Sequence, residues 1–129
     1  MKKRALPKPT EAELAILNVI WEKGPSTVRQ VHEALKDERK TRYTTTLKLM
    51  QIMNEKGLVV RDESSRTHIY QSRLDQQQIQ RQIAGDLLER VFGGSAATLV
   101  MQTLAAKKAS SEELAEIRKL LNDFEERSS

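Results

Sequence analysis

Between Arg42 and Lys48 stand three consecutive threonines, Thr44, Thr45 and Thr46, with Tyr43 before them and Gln51 one helical turn beyond Lys48. No nucleophile with an adjacent base lies in this set, so the chemistry it offers is recognition rather than bond making. A threonine hydroxyl donates or accepts at a base edge or a phosphate, its methyl can meet a thymine methyl, and flanking cations reach phosphate oxygens. At the start of a helix, free backbone N–H groups add to the attraction for phosphate. One of the three threonines is expected to cap the helix, and at least one other to face outward. Tyr43 reads equally well as a phosphate hydrogen-bond partner or a core ring. Further along, Arg61 and Arg66 flank the polar run Glu63-Ser64-Ser65, where they could meet a nucleic-acid backbone or the adjacent minor groove. Arg4, Lys8 and Arg29 are further cations of the same half.

The elements that would position these groups are legible from spacing. Leu47, Leu49, Met50 and Met53 form the inward stripe of a helix opening at Tyr43 or Thr44, and Gly57 is its expected left-handed C-cap. Two short strands follow, Leu58–Asp62 and Arg66–Ser72, with Val59, Arg61, His68 and Tyr70 in alternation. Upstream, Thr10 with Glu13 signals a capping box for a helix carrying Leu14, Leu17, Ile20 and Trp21, stopped by Lys23-Gly24-Pro25. A second helix opens at Ser26 or Thr27, with Gln30 closing a box on Thr27, and buries Val28, Val31 and Leu35. The charged connection Lys36–Arg42 leads to the threonines. Three helices and a hairpin in this order predict a winged helix-turn-helix over residues 10–73, the architecture that lays one helix in a DNA major groove. A flexible basic arm, residues 1–9, would precede it, since Pro7 and Pro9 oppose helix.

Residues 74–129 change character. Asp75 with Gln78 opens a helix whose stripe is Ile79, Ile83, Leu87, Leu88, Val91 and Phe92, ending at Gly93-Gly94. A shorter apolar helix from Ser95 holds Leu99, Val100, Met101 and Leu104. A last helix, boxed by Ser110 and Glu113, carries Leu114, Ile117, Leu120, Leu121 and Phe124. Three helices of this size cannot easily bury so many apolar side chains against one another, so a helical dimerisation region and a homodimer are expected. The competing arrangement is a bundle folded back on the winged helix of the same chain. The fold class is thus mainly α, with a small β-hairpin wing.

Composition agrees with a nucleic-acid partner. Residues 1–73 hold 15 Lys and Arg against 9 Asp and Glu, whereas residues 74–129 hold 7 against 9, so the basic surplus lies in the half that carries the threonines. Aromatics are 4% of the 129 residues, too few for the full core of a large monomer. There is no cysteine, which removes disulfides, thiolate metal sites and cysteine catalysis, and fits a cytoplasmic location. His32 and His68 stand apart from any ligand-spaced cluster, so no metal is expected. The carboxylates fall on charged helical faces and read as solvated. No glycine-rich phosphate loop or nucleophile elbow is present, so neither an enzyme nor a bound cofactor is expected. No apolar run reaches the ~20 residues of a membrane helix, so no membrane insertion is expected.

With these residues in hand, the chain resembles the penicillinase-repressor (BlaI/MecI-type) family of bacterial winged-helix regulators. The likeness is carried by TEAELAILNVIWEKG in the first helix, YTTTLKLMQIMNEKGLV across the third helix and its turn, and SSEELAEIRKLL near the end. The resemblance implies a homodimer whose N-terminal domains bind a dyad-symmetric operator and repress neighbouring genes. It also implies, as a partner, a membrane sensor with a zinc-protease domain that cuts the repressor in its dimerisation region. The family's cut falls at an Asn-Phe step that aligns with Gln102-Thr103, and this sequence differs at both positions. A copper-responsive branch carries a cysteine-rich tail that this chain lacks. Two rival readings remain: a ligand-gated winged-helix regulator, and, from another class, a helical module whose hairpin binds protein rather than DNA.

Overall fold

The structure, a computed structural model, describes residues 6–128. Residues 1–5 of the expected arm, Arg4 among them, lie outside the described residues. The chain divides into two compact units, with the division falling after Ile83.

In the first unit the order is α1 (Glu11–Lys23), α2 (Val28–Leu35), α3 (Tyr43–Lys56), β1 (Val59–Asp62), β2 (Ile69–Ser72) and the first turns of α4 (Gln76–Val91). Both expected capping boxes form. Thr10 Oγ1 accepts from Glu13 N–H while Glu13 Oε1 accepts from Thr10 N–H, and Thr27 and Gln30 repeat the exchange at α2. Ser26, the other candidate cap, instead forms a β-bridge: its N–H donates to the Tyr70 carbonyl at 2.9 Å and its carbonyl accepts from Tyr70 N–H at 2.8 Å. The connection before α2 is thereby tied to the wing.

α3 departs from expectation at its start. Its N-cap is Arg42, which makes no side-chain capping bond, so none of the three threonines caps the helix. Its end is as expected: Gly57 adopts φ 84°, ψ 17°, and Leu58 N–H returns to the Met53 carbonyl at 2.9 Å. That left-handed turn drops Leu58 fully into the core and starts β1. β1 and β2 pair antiparallel with Arg61 opposite Tyr70 and Val59 opposite Ser72. β2 starts at Ile69 rather than Arg66, because residues 63–68 are spent on the turn of the hairpin.

Ile16, Leu17, Ile20, Val31, Met50, Met53, Leu58, Val59 and Tyr70 form one buried cluster shared by α1, α2, α3, β1 and β2. Trp21 packs on its edge and donates from Nε1 to Ser72 Oγ at 3.0 Å. Glu13 is the exception to the solvated reading of the carboxylates. It is only 2% exposed, and its Oε1 meets Lys56 Nζ at 2.7 Å across 43 residues of chain. Lys56 also donates to the Lys8 carbonyl, and Gln82 Nε2 donates to the Leu6 carbonyl at 3.1 Å, so two side chains hold residues 6–8. Burial pushes the Glu13 carboxyl up, but the Lys56 ammonium and the Thr10 backbone N–H outweigh it and hold the group below the ordinary glutamate value.

Ile79, in α4, is 1% exposed within this first unit. It has no surface left for a second chain, which removes it from the expected dimerisation stripe. The second unit continues α4 and adds α5 (Ala96–Ala106), capped by Ser95, and α6 (Ser111–Ser128), whose Glu113 N–H donates to Ser110 Oγ. Among its described residues none is buried.

Because the folded Glu13 value is depressed, its contribution is complete above about pH 4.5, the ordinary glutamate value, and is lost as pH falls through the folded value. Glu13→Ala is expected to cost about 2 kcal/mol in urea unfolding at neutral pH, through loss of the cap and of the partner to Lys56. Glu13→Gln keeps a capping acceptor and is expected to flatten the fall in stability at acid pH.

Candidate nucleic-acid interface

The core decides which side of α3 remains available. Thr46, Met50 and Met53 follow one another at helical spacing on the inward face, and each is buried. Thr44, Lys48 and Gln51 repeat the same spacing two residues out of phase, roughly 200° around the helix at 100° per residue, and all three are exposed. Thr45 and Arg42 are exposed beside them. The structure therefore leaves Arg42, Thr44, Thr45, Lys48 and Gln51 accessible from the N-cap to the third turn of the helix.

Thr46 is excluded from that surface. It is 4% exposed, and its Oγ1 lies 3.4 Å from His32 Nδ1. The expectation that Thr46 faces a duplex is corrected: threonine suits a core and a surface alike, and only the Met50–Met53 phase separates them. Tyr43 takes the core reading in part. Half-buried, it packs against the main cluster with its ring edge-on to His32, centroids 5.7 Å apart at 84°, and Arg29 Cζ lies 4.9 Å from its centroid.

In the hairpin the two arginines differ. Arg61 is engaged internally: its Nη2 lies 3.4 Å from Glu63 Oε1. The Tyr70 side chain opposite it, and then Glu63, favour its charged form despite partial desolvation. Arg66 is exposed in the turn and has no ion pair among the described residues. Sequence reasoning missed the Arg29–Tyr43–His32 stack, because it joins two helices through ring contacts that leave no spacing signal.

The residues expected to dimerise lie beyond this unit, apart from Ile79 and the boundary residue Ile83. Ile83, Leu87, Val91, Val100, Leu104, Leu114, Leu120, Leu121 and Phe124 are exposed, while Leu88, Phe92, Leu99 and Ile117 are half-buried. Gln102 and Thr103 are exposed but helical, and the Thr103 hydroxyl donates to the Leu99 carbonyl. Among the described residues no group of His, Asp and Glu could hold a metal ion, and no helix is long and apolar enough to cross a membrane.

The profile of the penicillinase repressor family matches residues 9–123. The chain belongs to that family. It is 23% identical over 113 residues to the penicillinase repressor of Staphylococcus aureus, an alignment covering 88% of this chain and 90% of that protein. It is 39% identical over 61 residues to the transcriptional regulator BlaI of Mycobacterium tuberculosis, covering 46% and 44% respectively. The solved DNA-binding domain of the repressor BlaI superposes with TM-score 0.51 at 20% identity, over 59% of this chain and 93% of that one. Bacillus licheniformis BlaI, solved in its monomeric form with the blaP half-operator, gives 0.50 at 23% identity, over 60% and 93%. The first unit is thus a winged-helix domain of BlaI type. Members of the family are DNA-binding transcriptional repressors rather than enzymes.

The two sides of α3 should respond differently to an added charge. Thr46→Lys is expected to destabilise the fold by about 3 kcal/mol, since it would bury an unpaired ammonium. Thr45→Lys is expected to stay within about 0.5 kcal/mol of the parent in the same urea titration, followed by Trp21 fluorescence.

Proposed function

We propose that this chain is a cytoplasmic, homodimeric transcriptional repressor, each subunit setting the leading turns of α3 in the major groove of one half of a dyad-symmetric operator. The observation that carries this reading is the outward surface of α3, where Arg42, Thr44, Thr45, Lys48 and Gln51 stand together in solvent. Thr44, Thr45 and Gln51 would read base edges. Arg42, Lys48 and the wing residue Arg66 would hold phosphates and make affinity fall as salt rises. Arg61 would act from behind, by stiffening the hairpin. The Bacillus licheniformis relative, solved in complex with its half-operator, supports DNA as the partner of this domain.

Dimerisation through the second unit is supported by its physical condition as a lone chain. No described residue of it is buried, yet Leu120, Leu121 and Phe124 are each more than half exposed on one stretch of α6. An exposed apolar surface of that extent is unfavourable in water and is relieved by a second copy. Holding two half-sites together raises the effective concentration of the second contact far above that of a free domain. Release by a sensor protease at Gln102-Thr103 would require α5 to unwind first, because proteases take extended chain and this step is helical.

Lys48→Ala is expected to weaken operator binding about tenfold in a gel-shift titration, with unfolding unchanged. Unaltered affinity would remove Lys48 from the contact set. The double variant Leu121→Asp with Phe124→Asp is expected to sediment as a monomer; a persisting dimer would place the junction elsewhere.

A further inference from the structure

A groove of about 460 Å³ runs between α2, α3 and the hairpin, and its polar lining comes from Thr27, Arg29, Tyr43, Arg66, Thr67 and His68. No carboxylate lines it. Glu33, one turn beyond Arg29, is held by Lys36 at 2.6 Å, and Glu63 of the hairpin turn is held by Arg61. Among the described residues neither Arg29 nor Arg66 has an ion-pair partner. Two guanidinium groups from separate elements thus border one trough whose neighbouring acids are already engaged. Arg29 is also ordered in advance: it stacks on Tyr43, and Tyr43 is braced edge-on by His32.

From this geometry we infer that the groove seats a stretch of DNA backbone, with Arg29 and Arg66 gripping phosphates from its two sides and Tyr43 as the positioning residue for Arg29. The inference rests on the reading of α3 as the groove-binding helix and extends it to α2, the helix that crosses the backbone in this docking mode. Guanidinium suits the task because its planar fork meets two phosphate oxygens at once. Stacking on a half-buried ring removes rotamer freedom before the duplex arrives, so less is lost on binding. A contact of this type positions the protein without reading sequence.

The test follows binding of the full chain by fluorescence anisotropy over a range of salt. It uses two probes: a duplex enriched from a random pool by the parent protein, and an unrelated mixed-sequence duplex. Arg29→Ala is expected to weaken both by a similar factor, on the order of tenfold, and to reduce the slope of log affinity against log salt by about one. Arg29→Lys should restore most of the slope. Tyr43→Phe, which keeps the ring, should behave as the parent. Tyr43→Leu should mimic Arg29→Ala and add nothing to it in the double variant. If Tyr43→Leu does not fold, the exposed Arg29 decides the matter alone. An unchanged slope for Arg29→Ala, or a loss confined to the enriched duplex, overturns the clamp while leaving α3 in the groove. A loss on Tyr43→Phe overturns the positioning role. A parent protein that binds neither duplex overturns both the clamp and the proposed function.

Discussion

The inner face of α3 is the constraint from which the rest follows. Thr46, Met50 and Met53 are packed into the common core, and Gly57 ends the helix in a left-handed turn that sends Leu58 and Val59 into the same core. A helix held at both its buried side and its end has no freedom to roll. The polar side chains two residues out of phase therefore project to solvent in a fixed arrangement. A rotation that exposed Thr46 would also expose Met50 and Met53, and burying that apolar area is what stabilises the domain. The surface offered for recognition is a consequence of what the core has taken.

Polar bonds then fasten the periphery to this centre. The Ser26–Tyr70 bridge ties the wing to the connection before α2, and Trp21 bonds Ser72 at the end of β2. On the far side, Glu13 and Lys56 join the first turn of α1 to the last turn of α3. That pair works where a surface ion pair would contribute little, since Glu13 is also satisfied by Thr10 and leaves no lone buried charge. The wing and α3 consequently stand in one frame.

The second unit obeys a different logic. Its three helical stretches are well formed locally, with Ser95 and Ser110 at their N-termini, but no described residue in it is fully buried. Local hydrogen bonding and capping define helices; they do not supply a core. Such a unit has no core of its own, which is the physical basis for the association proposed for it.

What the sequence determined by itself was most of what depends on near neighbours, the uncapped start of α3 at Arg42 and the start of β2 at Ile69 excepted. Thr10 with Glu13, Thr27 with Gln30 and Gly57 after Lys56 set the helix limits through bonds spanning a few residues, and the order of elements followed. The choice among Thr44, Thr45 and Thr46 was not settled, because a β-branched hydroxyl residue suits either environment and only packing assigns the phase. The burial of Glu13 against a lysine 43 residues away, the withdrawal of Ile79 and the placing of Arg29 over Tyr43 were decided by tertiary structure alone. Each depends on which surfaces meet across long stretches of chain, and no local spacing encodes that.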